Sequence, residues 1–170
     1  MPSPCPWNTP GGPLQLEEGE IHVWRADLDH NVDALPALEE TLAPDESAKA
    51  RRFRQQRDRM RYVFAHGVLR TILARYQRTT PSQLTFCYGP AGKPELGHGA
   101  VHFNMSHADG LVLVAISHQC DVGVDVERVR PDVDQVVAGW LGSPKPLRPS
   151  AMHTFFPSWV KMVGMIRSSR

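Results

Sequence analysis

Two carboxylates lie two residues apart in the valine-rich run VGVDVE, residues 122–127. In an extended strand, Asp125 and Glu127 fall on one face and the valines on the other. Two like charges this close repel unless one is protonated, a basic side chain neutralises them or a cation bridges them. Mg²⁺ commonly takes one or two carboxylates together with water and phosphate oxygens. The alternative is a solvated strand end paired with Arg128 or Arg130, and residue chemistry alone favours that alternative somewhat.

A second polar group is FNMSH, residues 103–107, at the end of a predicted strand. Ser106 can donate to a phosphoryl oxygen, and His107 can act as an acid or base, or bind phosphate when protonated. Taken alone, such a group is more often a turn with satisfied side chains than a binding site. The other histidines, including His98 and His102, have no spacing typical of zinc ligands.

Basic residues supply candidate phosphate contacts. Lys93 lies in a Gly-Lys-Pro turn, which is not a P-loop because the Walker spacing is absent. Residues 49–61 contain one acid, Asp58, among seven basic residues: Lys49, Arg51, Arg52, Arg54, Arg57, Arg59 and Arg61. This run indicates a phosphate-binding or nucleic-acid-binding surface, or simply a solvated helix face, which is its usual meaning. The formal net charge of +1 and the lack of interleaved aromatic residues argue against a nucleic-acid module.

Length and composition indicate a globular protein. The 170 residues suffice for one domain or two small halves that share a core, and 41% hydrophobic content argues against disorder throughout. Cys5, Cys87 and Cys120 are too few and too far apart for a disulfide framework or a zinc site. With neither a leader pattern nor a long apolar run, the sequence predicts a soluble cytoplasmic protein.

The elements predicted in the first half of the chain begin after a flexible segment, residues 1–19, which holds five prolines. EIHVWRADL predicts a half-buried strand because apolar and polar residues alternate. Helices are predicted from Asp45, in PDESAKARRF, and from about 58 to 76, where one stripe of apolar residues recurs at helical spacing.

The second half of the chain predicts mainly strands. LTFCY is a strand followed by a turn region, GPAGKPELGHG, and three further strands are predicted at 101–105, 111–117 and 121–127. Short connections such as Asp109-Gly110 favour an antiparallel meander. The proline-containing tail, 139–170, predicts no regular element.

Taken in order, four stretches resemble successive motifs of the 4'-phosphopantetheinyl transferases of the two-half, surfactin-synthetase-activator type. They are RRFRQQRDRMRYVFAHGVLR, GPAGKPEL, HFNMSHADGLVLVAIS and VGVDVERVRP, and the resemblance covers roughly residues 21–131. It implies an α+β, pseudo-duplicated fold with coenzyme A and Mg²⁺ held where two halves meet. The N-terminal half would be residues 20–110, residues 111–138 would begin an incomplete second half, and 139–170 would be an atypical tail.

The resemblance also implies a reaction, in which the phosphopantetheine arm of coenzyme A moves to a serine of an acyl or peptidyl carrier protein. Asp125 and Glu127 match the metal carboxylates, and Ser106 and His107 match phosphate contacts, so that His107, Asp125 and Glu127 form the implied catalytic set. Further implied contacts with the coenzyme are Lys93, Arg54 and Arg61.

The chain departs from the family pattern near its end. The family continues with W-x-x-K-E-A, whereas FFPSWVKMVGMIRSSR has Trp159 and Lys161 but no following glutamate, and no acid occurs after Asp134. That glutamate would be the third metal ligand. The sequence therefore leaves open an active transferase, a truncated or frame-disrupted member that retains only partial coenzyme A or carrier-protein binding, and, more weakly, a nucleic-acid-binding module.

Overall fold

The computed structural model describes residues 14–29, 32–90, 92–97 and 101–127, together with the backbone of Ala151–Thr154. Helices and strands are both present, so the predicted α+β class is confirmed. In chain order the elements are β1 (Ile21–Asp27), α1 (Leu35–Glu39), α2 (Pro44–Ala50), α3 (Gln56–Gln77), β2 (Phe86–Tyr88), β3 (Pro94–Leu96), β4 (His102–Ala108), β5 (Leu111–Ser117) and β6 (Ala151–Thr154), with 3₁₀ turns at Val32–Ala34 and Pro81–Gln83.

The larger sheet has the strand order β4-β5-β1-β6. β5 pairs antiparallel with both β4 and β1, and β1 pairs parallel with β6. A two-residue turn joins β4 to β5, and both of its residues have positive φ, 46° at Asp109 and 83° at Gly110. Such a turn matches the right-handed twist of the flanking strands. The predicted antiparallel hairpin is therefore confirmed. The prediction that a third strand at 121–127 extends it into a meander is wrong, because those residues form no strand.

The helix α3 lies against one face of this sheet. It is free of proline over its 22 residues and ends at Gln77, where Arg78 caps it in a left-handed conformation with φ 52°. The main core joins Phe64, Leu69 and Ile72 of the helix to Trp24 and Val114 of the sheet. The predicted long helix is confirmed and extends by one to two residues at each end.

The opposite face of the sheet is also covered, which corrects the prediction that β1 is half-buried. Val23, Leu113 and Ala115 form a second apolar cluster with Val122 and Val124. The five central residues of β1 are all buried, including His22 and Arg25. Polar residues alternate along β1, but tertiary contacts bury both of its faces.

The predicted strand at 121–127 is wrong, because these residues form no β-ladder. The N–H groups of Val124 and Val126 donate to the side chains of Asn104 and Ser106 on β4 instead of to a strand backbone. The sequence also left three elements unpredicted: α1, β3 within the predicted turn region, and β6 within the tail. α1 approaches α3 closely, since a Cβ on Gly67 would lie 2.7 Å from the Cβ of Leu38.

Several predictions fall outside the described residues. They concern Cys5, His98, Arg128, Arg130, Trp159 and Lys161, most of the tail, and residues 1–13. The described residues 14–19 contribute Leu16 to the main core. No helix in the described ranges has the length and apolar character needed to cross a membrane.

Candidate functional site

The acidic segment, residues 121–127, is held by side chains of β4. His102, Asn104 and Ser106 share one face of that strand, because they stand opposite Ser117, Ala115 and Leu113 of β5. The Val124 N–H donates to Asn104 Oδ1 at 2.9 Å, and the Val126 N–H donates to Ser106 Oγ at 3.2 Å. His102 Nδ1 lies 3.0 Å from Asp121 Oδ1. Side chains thus replace the backbone ladder that the sequence predicted.

The carboxylates of the acidic segment face away from the sheet. Val122 and Val124 are buried, whereas Asp125 and Glu127 are exposed, so the predicted alternation is present without a strand. Asp125 Oδ1 accepts hydrogen bonds from Ser106 Oγ and from the Val126 N–H, each at 2.9 Å. For Glu127 the described residues supply no hydrogen-bond or ion-pair partner.

The carboxylate oxygens of Asp125 and Glu127 are the type of ligand that a hard divalent cation such as Mg²⁺ prefers. Two carboxylates are what Mg²⁺ commonly takes from a protein, provided that water and phosphate complete its octahedral shell. The described ranges contain no cluster of three or more histidine, cysteine or acidic side chains suited to a metal ion. Within the described ranges, the protein ligands would therefore be these two carboxylates.

Lys93 meets the start of the acidic segment. Its Nζ lies 3.4 Å from the Val122 carbonyl oxygen and 3.9 Å from Asp121 Oδ1. The turn that carries it is closed by hydrogen bonds from the Gly89 N–H to the Lys93 carbonyl and from the Gly92 N–H to the Gly89 carbonyl. The structure thus brings the Gly-Lys-Pro turn, FNMSH and the acidic segment together.

His107 and the predicted arginines lie elsewhere. His107 is exposed and stands opposite Val112, on the face of the sheet that packs against α3, so Ser106 and His107 point to opposite faces. Arg54 is exposed in the link between α2 and α3. Arg61 binds Asp29 through two hydrogen bonds, of 2.7 Å and 2.5 Å. The structure therefore does not bring all the predicted phosphate contacts to one place.

Asp29, which the sequence did not single out, organises the basic residues at the start of α3. Arg57 also donates to it, at 3.1 Å. Hydrogen bonds from Arg61 and then from Arg57, together with their charges, outweigh the effect of burial and lower the pKa of Asp29 to about 2. Asp29 lies two residues beyond the end of β1 and matches no helix-cap or ligand pattern, so no local signal could have identified it.

A cavity of about 230 Å³ opens between α2, α3, the β2–β3 hairpin and β4. Gly92 and Pro94 of the Gly-Lys-Pro turn line it. Lys49 lies 5.4 Å from the centre of the Tyr62 ring, which in turn stacks on His66 at 4.1 Å. Desolvation by burial raises the pKa of Tyr62 to about 12, so its hydroxyl stays protonated at neutral pH. Aromatic faces beside a cation can accept a flat ring that carries negative groups.

Glu46 forms the buried wall of this cavity. It is only 3% exposed, and its carboxylate contacts Arg70 Nε at 2.6 Å, the Ala43 N–H at 3.0 Å and His66 Nδ1 at 3.1 Å. Burial alone would raise the pKa of Glu46, but these three partners outweigh burial and lower it. An acid in the first turn of a helix was the available sequence signal, although it indicates a cap rather than a buried ion pair.

The characterised proteins to which this chain is similar are named as one kind of enzyme. No protein-family model matches the chain. The chain is similar to the 4'-phosphopantetheinyl transferase HetI of Nostoc sp., with 38% identity over 125 residues, which cover 71% of this chain and 53% of that protein. It is also similar to the 4'-phosphopantetheinyl transferase Sfp of Bacillus subtilis, with 29% identity over 91 residues, which cover 53% of this chain and 40% of that protein.

The chain spans about half the length of the curated relatives it matches. The matched stretches cover more than half of the present chain in both cases. The chain therefore belongs to the 4'-phosphopantetheinyl transferase superfamily.

Proposed function

We propose that the protein transfers the 4'-phosphopantetheine arm of coenzyme A to a serine hydroxyl of an acyl or peptidyl carrier protein. The observation that carries this proposal is the 38% identity with a 4'-phosphopantetheinyl transferase over 125 residues. In support, Ser106 of FNMSH donates to Asp125 of VGVDVE, so two motifs of the family resemblance lie in direct contact.

In the proposed reaction the serine oxygen attacks the phosphorus that bears the pantetheine arm. A new P–O bond forms, the bond to the other phosphate breaks, and adenosine 3',5'-bisphosphate leaves with the electron pair. A bound Mg²⁺ would neutralise charge on the pyrophosphate, and Asp125 and Glu127 would hold it. Catalysis of this kind rests mainly on positioning and charge neutralisation. We assign the serine proton to the exposed carboxylate of Glu127.

Coenzyme A would extend from the acidic segment across the Gly-Lys-Pro turn. Lys93 lies next to the segment, while its neighbours Gly92 and Pro94 line the cavity beside Tyr62. The cavity is too small for the whole coenzyme but suits one flat ring, so we assign the adenine end to it. The predicted contacts from His107, Arg54 and Arg61 remain part of the proposal, as does a pseudo-duplicated fold whose second half begins near residue 111.

The test is an assay of the full chain with coenzyme A, Mg²⁺ and an apo carrier protein, read by intact-protein mass spectrometry. We expect the carrier to gain the mass of phosphopantetheine, and to gain none when its acceptor serine is replaced by alanine or when a chelator removes Mg²⁺. No mass gain with the protein in excess over the carrier would overturn the proposal. Coenzyme A binding without transfer would in that case assign the chain a binding role only.

A further inference from the structure

We propose that Asn104 is a positioning residue for Asp125 and Glu127. This inference rests on the proposed function, in which those two carboxylates hold a divalent cation. Asn104 lies on β4 in the middle of the side chains that bind the acidic segment, and it contacts neither carboxylate itself.

Side chains of β4 fix the backbone of the acidic segment. Among the described residues, no backbone-to-backbone hydrogen bond involves residues 121–127. Two N–H groups are held by side chains instead, with Val124 bound to Asn104 and Val126 bound to Ser106, each pair 20 residues apart in the chain. Because side chains two apart on a strand share a face, they match two N–H groups at the same spacing along an extended segment.

Asn104 and Ser106 differ in what they contact. The Ser106 hydroxyl donates to Asp125 Oδ1, so its loss would change a carboxylate ligand directly. Among the residues that the structure describes, the Asn104 oxygen accepts an N–H from Val124 alone, a residue that is 8% exposed and packs against the sheet. Its bond therefore fixes the backbone just before Asp125, and hence the direction in which the two carboxylates project. Losing it would weaken cation binding without removing any group that contacts the cation.

The test compares Asn104→Leu, which has similar size but no acceptor, with Asn104→Asp, which keeps an acceptor oxygen. Two readouts that do not require turnover are hydrogen exchange at the Val124 amide and the Kd for Mn²⁺ from spectroscopic titration of the full chain. In Asn104→Leu we expect exchange at Val124 to accelerate about tenfold or more and the Mn²⁺ Kd to rise about tenfold, as is typical when a residue that orients a metal ligand is lost. Asn104→Asp should restore both values.

Gln119→Leu is the matched control, because Gln119 Oε1 accepts the Gly19 N–H at 3.1 Å and so forms the same kind of bond with a different part of the chain. Its Mn²⁺ affinity should equal that of the wild type. Should Asn104→Leu melt far below the wild type, Val124→Pro tests the same bond from the other side, since proline has no N–H to donate.

These measurements test the role of Asn104 separately from the proposed transfer reaction. Wild-type Mn²⁺ binding that is unchanged in Asn104→Leu, or in Val124→Pro when the first variant is unstable, overturns the role of Asn104 and leaves the proposed function standing. A wild type that binds no Mn²⁺ overturns the metal site and the role of Asn104 together. Transfer activity is measured separately, so its absence would bear on the reaction alone.

Discussion

Glu46 and Asp125 are acids in two regions of the molecule. Glu46 is buried among protein partners, whereas Asp125 is exposed to solvent. Glu46 is 3% exposed and its carboxylate has three protein partners from α3 and the chain before α2. Asp125 is exposed, and its described hydrogen bonds, from Ser106 and the Val126 N–H, both involve the same oxygen, Oδ1. The protein thus satisfies Glu46 by itself, whereas Asp125 keeps capacity to bind something else.

Asp29 lies between these extremes. Its side chain is 29% exposed and it holds two arginines at the surface. The comparison therefore forms a series of three carboxylates, from fully paired and buried, through paired and partly exposed, to exposed with an oxygen still available. Substitution should therefore reduce stability most at Glu46 and least at Asp125. It should reduce activity most at Asp125 and least at Glu46.

The largest expected effect is on stability, from breaking the buried pair. Glu46→Gln or Arg70→Met should each lower the free energy of unfolding by about 3–5 kcal/mol, because each leaves a buried charge without its partner. Urea unfolding followed by circular dichroism measures the loss. A drop below about 1 kcal/mol would show that Glu46 is no more structural than a surface carboxylate, and the comparison would fail.

The next effect is on activity. Asp125→Ala should reduce transfer to the carrier serine at least about 100-fold, because it removes a proposed metal ligand. Its free energy of unfolding should change by less than about 0.5 kcal/mol, as for other exposed positions. Asp33→Ala, at another exposed acid, is the control. Unchanged turnover in Asp125→Ala would remove Asp125 from the site.

A smaller effect is expected from Gly110→Ala, which perturbs Asp29 without removing it. The added Cβ would lie 2.5 Å from Asp29 Oδ2, at a residue whose φ is +83°. We expect a loss of about 1–2 kcal/mol from the left-handed backbone conformation alone. Thermal melts of the wild type and of this variant measure it, and equal melting temperatures would mean that the hairpin turn can relax.

The smallest effect is the pH dependence of the Asp29 pair. Because Arg61 and Arg57 lower the folded-state pKa of Asp29 from 3.8 to about 2, the carboxylate stabilises the fold above about pH 4 and loses that contribution as the pH falls toward 2. Asp29→Asn should therefore be less stable at pH 7, by less than about 1 kcal/mol, since solvent screens the pair.

The gap between wild type and Asp29→Asn should close between about pH 4 and pH 2. Melting temperatures of both proteins measured across that range provide the test. A gap that stays constant with pH would show that the loss at pH 7 has a cause other than the charge of Asp29.

Local pattern determined a substantial part of this protein. Apolar residues at helical spacing sufficed for α3, a short apolar run sufficed for β5, and Asp109-Gly110 indicated the hairpin that joins β4 to β5. The order of FNMSH and VGVDVE led to the superfamily, which the comparisons support. These features could be read from the sequence because each depends on residues close together in the chain.

Tertiary structure decided the rest. VGVDVE is not a strand, because the N–H groups of Val124 and Val126 donate to side chains of β4, 20 residues earlier, rather than to a neighbouring strand backbone. The burial of Glu46, the pairing of Asp29 with Arg61 and the bond from Val124 to Asn104 each join residues at least 20 positions apart. The sequence by itself determined which chemical groups are present and which local elements carry them. Only the fold decided which carboxylates are satisfied by protein partners and which remain open, because that depends on what packs beside them.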